Sequence, residues 1–64
     1  MKSLPLELIM RKPTANKLRH HYYDDLNKLS IADPKRISEI IERDTNQAKH
    51  LIERAKEEVN KNGP

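Results

Sequence analysis

The run Arg19-His20-His21-Tyr22-Tyr23-Asp24-Asp25 is the densest set of chemically capable side chains in the sequence. His20 and Asp24 stand four residues apart, as do His21 and Asp25, so on a helix each imidazole would lie beside one carboxylate. Such pairs could bind a metal or move a proton. A metal centre requires three or four converging ligands, and one helix here supplies two per face. His50 sits too far along the expected bundle to join them. We read both pairs as local support for a solvated helix and predict neither metal nor cofactor. Nucleophilic chemistry lacks its parts: there is no Cys and no Gly-rich phosphate loop, and hydroxyls occur only at Ser3, Thr14, Ser30, Ser38 and Thr45 besides the two tyrosines. A chain of 64 residues rarely encloses a pocket, so we expect no catalytic residue, no small-molecule substrate and no enzyme.

A second pattern is electrostatic. The chain carries 13 Lys and Arg against 10 Asp and Glu, a net +3, but unevenly. In residues 1–23 five cations oppose Glu7 alone, giving +4; in 24–34 Lys28 opposes Asp24, Asp25 and Asp33, giving −2; the remainder is +1. Lys12, Asn16, Arg19, His20, Tyr23 and Asn27 fall on one side of a helix over 14–29, flanked by Arg11 and Lys17. Cations interleaved with an aromatic ring and amides suit a phosphate backbone with stacked bases. Arg11, Lys12, Lys17, Arg19, His20 and Tyr23 are therefore candidates for a nucleic-acid face, although Asp24 and Asp25 lie close by.

The elements that would position these groups are helical. Charged residues make up 36% of the chain, apolar residues 34%, and Phe and Trp are absent; this Lys-, Glu- and Leu-rich mixture favours helix over sheet. Ser3 and Pro5 suit the start of a short helix over 3–12, with Lys12 before Pro13 as its stop. Ala15, Leu18, Tyr22, Leu26 and Leu29 form the apolar stripe of a second helix. Residues 30–33 connect it to a third, started by Asp33-Pro34 and ended by Asn62-Gly63-Pro64. That third helix carries Ile37, Ile40, Ile41, Ala48, Leu51, Ile52, Ala55 and Val59 on one stripe. The expected fold is all-α: one small domain with an apolar segment 1–12, an antiparallel helical hairpin 13–62 with a long second arm, and a tail 63–64.

Length decides the assembly prediction. The second helix would be about 24 Å long and the third about 42 Å. Folding the hairpin sets Leu29 opposite Ile37, Leu18 opposite Ala48, and Ala15 opposite Leu51 and Ile52, leaving Ala55 and Val59 to be covered either by the N-terminal segment folding back or by a second chain. It also sets Tyr22 opposite Asp44, which is either solvated or held by the tyrosine hydroxyl. A domain this small is marginal alone, and without cysteines it has no disulfide to staple it. We therefore expect a homodimeric helical bundle or another protein partner, with Leu6, Ile9, Met10, Ile52, Ala55 and Val59 as partner-binding residues.

The stretch LPLEL resembles the opening of an F-box over five residues, without that family's long apolar continuation. The alternation Leu4, Leu6, Leu8 followed by two helices resembles a ribbon-helix-helix repressor, from which Pro5, the long third helix and the missing Gly turn depart. The hairpin layout is similar to small RNA-binding four-helix bundles. These resemblances imply nucleic-acid or protein partners, not chemistry. No apolar run is long enough to span a bilayer, and Pro5 and Glu7 interrupt the N-terminal stretch, so neither membrane association nor a signal peptide is expected. The lack of Cys fits a cytoplasmic protein. The function expected from the sequence is a small non-enzymatic regulatory or protein-interaction module working through helix–helix contacts, with a nucleic-acid-binding regulator as the alternative.

Overall fold

The structure is a computed structural model and describes residues 4–62. Among these there is no strand: a 3-10 turn at Leu6–Leu8 precedes α1 (Lys12–His20), α2 (Leu26–Ser30), α3 (Pro34–Ile41) and α4 (Thr45–Asn62). The all-α class follows from the Ile and Leu period, as expected. The continuity of the two long helices does not. The stretch 14–29 breaks at 21–25, and the stretch 34–62 breaks at 42–44. Ser3, expected as a cap, and the tail 63–64 lie outside the described residues.

Each break is built from two local devices. At the end of α1, Tyr22 adopts the left-handed conformation (φ 71°). This lets the Tyr22 and Tyr23 N–H groups donate to Arg19 O and Leu18 O, each at 3.0 Å, and so satisfies carbonyls the helix would leave open. At the end of α3, Glu42 does the same (φ 58°), and Arg43 N–H donates to Ser38 O at 3.1 Å. Glycine usually holds such positions, because a Cβ costs about 1–2 kcal/mol there. Three aspartates then start the next helices. The Asp25 carboxylate accepts from Lys28 N at 2.9 Å, that of Asp33 from Lys35 N at 3.1 Å, and that of Asp44 from Gln47 N at 2.9 Å. Each such cap contributes about 1 kcal/mol.

The N-terminal segment is a strap rather than a helix over 3–12. Pro5 is extended (φ −69°, ψ 144°) and only Leu6–Leu8 turn. Leu26 N–H donates to Leu4 O at 3.0 Å, which ties the strap to the first turn of α2. Lys12-Pro13, expected to stop a helix, begins α1, since proline in the first turn has no N–H to leave unpaired.

Packing departs from a hairpin in the same way. α2 and α3 both lie along α4, α1 packs on α3, and the 3-10 turn rests on α1. The second stretch therefore does not run down the third; its two halves address different partners. The molecule measures 31 × 20 × 17 Å, shorter than the about 42 Å of one continuous third helix. Leu6, Leu18, Leu26, Leu29 and Ile37 are fully buried and are joined by Leu4, Ala15, Ile40, Ile41, Ala48, Ile52 and Ala55. Burying each large aliphatic side chain contributes about 1.5–3 kcal/mol. Ala55, expected to lie beyond the reach of the hairpin's first arm, is buried within the single chain, and Val59 packs partly buried against the same core.

Candidate functional site

Burial sorts the expected partner-binding residues first. Leu6, Ile52 and Ala55 belong to the core and have no free surface to offer, while Ile9, Met10 and Val59 are partly exposed. Ile9 and Met10 follow the 3-10 turn and lead into α1. There they meet Ile41 at the end of α3 and Leu51 in α4 to form the floor of a shallow cleft of about 310 Å³. Its rim is polar: Arg11 and Thr14 from the start of α1, Arg43 from the corner before α4, and Gln47 and His50 from the first turns of α4. Gln47, His50 and Leu51 share a helix face because they are three and four residues apart.

The charge on that rim is one-sided. Among the described residues no carboxylate lines the cleft. Arg11 and Arg43 are exposed and, among the described residues, neither makes an ion pair. Some other cations are engaged, while Lys12, Lys35, Arg36, Lys49, Arg54 and Lys56 also make no ion pair among the described residues. Arg19 holds Glu7 through two bonds of 2.6 and 2.7 Å, Lys17 meets Glu42 at 3.1 Å, and Lys28 meets Asp24 at 2.8 Å. The Arg19 bonds pull the Glu7 carboxyl down to about 2, with help from the turn's backbone N–H and the charges of Arg19 and Lys12. The Lys28 bond likewise lowers the Asp24 carboxyl.

These pairings reshape the candidate nucleic-acid face. Of its six residues, Lys17 and Arg19 are neutralised by acids from other elements, and Tyr23 packs half-buried against the core. Arg11, Lys12 and His20 remain exposed, with Arg11 turned to the cleft. The His20–Asp24 and His21–Asp25 pairs do not form on a helix, since α1 ends at His20. Asp24 pairs with Lys28 and Asp25 caps α2 instead. Among the described residues no group of three metal-ligating side chains gathers.

A second surface was not foreseen. Tyr22 and Ile31 are 84% and 85% exposed. They flank a hollow of about 410 Å³ that His21, Tyr23, Lys28, Ala32 and Asp33 complete. The sequence pattern puts Tyr22 on the apolar stripe facing Asp44; in the structure Tyr22 faces solvent, and Asp44 is the solvated alternative, an exposed helix cap. The available signal was Ile31 itself, a large aliphatic residue in a polar connection with no periodic partner. For Arg43, Gln47 and His50 no local signal existed, because only the turn at 42–44 brings them to Ile9 and Met10.

No helix among the described residues is long and apolar enough to cross a membrane. No protein-family model matches the chain, and no curated protein or solved structure matches it either.

Proposed function

We propose that the chain is a small non-enzymatic protein-interaction module that docks an acidic, apolar-anchored segment of a partner protein in the cleft between Ile9, Met10 and Leu51. One observation carries this reading: an apolar floor open to solvent, rimmed by two arginines that, among the described residues, have no acidic partner and no carboxylate beside them in the lining. A partner side chain would fill the floor as an anchor, and flanking carboxylates would meet Arg11 and Arg43 in the bidentate geometry that guanidinium favours. The cleft is small, so the contact is of the weak, exchanging kind that suits a regulatory module. Nucleic acid is the less supported partner, since Lys17 and Arg19 already answer Glu42 and Glu7.

Two amphipathic helical peptides with the same leucine face, one with Glu and one with Lys on the polar face, test this by titration into isotope-labelled protein. The Glu peptide should shift the signals of Ile9, Met10 and Leu51, and high salt should weaken it. Equal response to both peptides, or none at the cleft, refutes the reading.

A further inference from the structure

Resting on that reading of the cleft, we infer that its occupant is a second copy of this chain, which inserts the Tyr22–Ile31 surface head-to-tail. The two surfaces offer apolar side chains to each other and differ in the sign of their charge. One is a recess with an apolar floor and a rim of +2 from Arg11 and Arg43, counting His50 as neutral. The other presents two large apolar side chains, 84% and 85% exposed, beside a segment of net −2. That segment's one cation, Lys28, lines the hollow together with Asp33, and its charge is answered by Asp24 at 2.8 Å.

The side chain of Tyr22 adds a second argument. Its left-handed backbone is accounted for within the chain, since the Tyr22 and Tyr23 N–H groups close α1 on Arg19 O and Leu18 O. Its ring is not: it stands in solvent, and among the described residues its hydroxyl makes no hydrogen bond. Seating the ring on the Ile9–Met10–Leu51 floor of another copy would remove that surface from water. No residue lines both hollows, so one molecule can insert and receive at once. Because the contacting surfaces differ, the association is heterologous, and it grows with concentration until a ring closes or an open chain forms.

The test is complementation. Sedimentation velocity of the wild-type chain should show mass rising with concentration and falling with salt. Arg43→Glu breaks only the receiving surface and Ile31→Asp only the inserting one; both side chains are exposed, and circular dichroism checks that each variant folds. Each variant alone should be a monomer. An equimolar mixture should form a dimer and stop there, since one intact recess and one intact insert remain. A mixture that stays monomeric while wild type associates overturns the head-to-tail contact. So does association that survives Ile31→Asp but not Arg43→Glu; that outcome leaves the cleft as a docking site for something else. A wild-type monomer at every concentration overturns self-association, and the peptide titration then decides the docking reading on its own.

Discussion

Replacing Glu42 by glycine and by alanine gives a test whose sign depends on the corner between α3 and α4. Glu42 has φ 58° and meets Lys17 at 3.1 Å across an exposed pair. Both variants lose that ion pair, which is worth under about 1 kcal/mol, so it cancels in their comparison. Alanine keeps a Cβ and with it the about 1–2 kcal/mol cost of the left-handed conformation. Glycine escapes that cost but gives up about 0.5–1 kcal/mol more chain entropy on folding. Glycine should therefore exceed alanine by about 0.5–1 kcal/mol, or several degrees in Tm at about 4–8 °C per kcal/mol for a domain of this size. In an unbroken helix over 34–62 the order reverses, because mid-helix glycine is about 1 kcal/mol worse than alanine. Thermal and urea denaturation followed by circular dichroism would read the difference. An alanine variant more stable than the glycine variant refutes the corner and restores the single long helix.

Two further outcomes follow from the same geometry. Asp44→Ala should lose about 1 kcal/mol in urea denaturation through the Gln47 cap while Tyr22→Phe changes nothing, because the tyrosine hydroxyl does not reach Asp44; a loss shared by both variants would revive the buried hydroxyl–carboxylate bond. Acid should also expose the Glu7–Arg19 tie. The Glu7 carboxyl is depressed from 4.5 to about 2 in the folded chain, so its stabilisation is complete above about 4.5, fades as pH falls and is gone below about 2. Urea midpoints measured down that range should fall less steeply for Glu7→Gln than for wild type, and parallel slopes would deny the tie.

Why the class was legible and the corners were not has a physical answer in particular residues. Ala15, Leu18, Leu26, Leu29, Ile37, Ile40, Ile41, Ala48, Ile52 and Ala55 were all assigned to apolar stripes, and all are buried. The breaks hide because they preserve that phase. Leu18 to Leu26 is eight residues and Ile41 to Ala48 seven, each about two helical turns, so the stripe reads as continuous through both corners. The usual punctuation is missing as well: the sequence has one Gly, at position 63, and the turns use Tyr22 and Glu42 in its place. Of the three aspartate caps only Asp33 is read from the sequence; Asp44, three residues before Gln47, and Asp25, directly before Leu26, stand at spacings that start helices but pass for partners of Tyr22 and His21. The cleft was half legible: Ile9, Met10 and Arg11 stood out from their own neighbourhood, whereas Arg43 and His50 join them only because the chain turns.

The packing order sets how the chain can acquire its structure as it leaves the ribosome. α2, five residues long, is too short to persist by itself and is held at its start by the Leu4 carbonyl. α2 and α3 find their main support on α4, which follows them in the chain. Leu26, Leu29 and Ile37 therefore stay wet until α4 has emerged, and the segments before it have no stable resting state of their own. Such a domain folds in one cooperative step once α4 is present, and its amides should exchange with solvent through nearly one common opening.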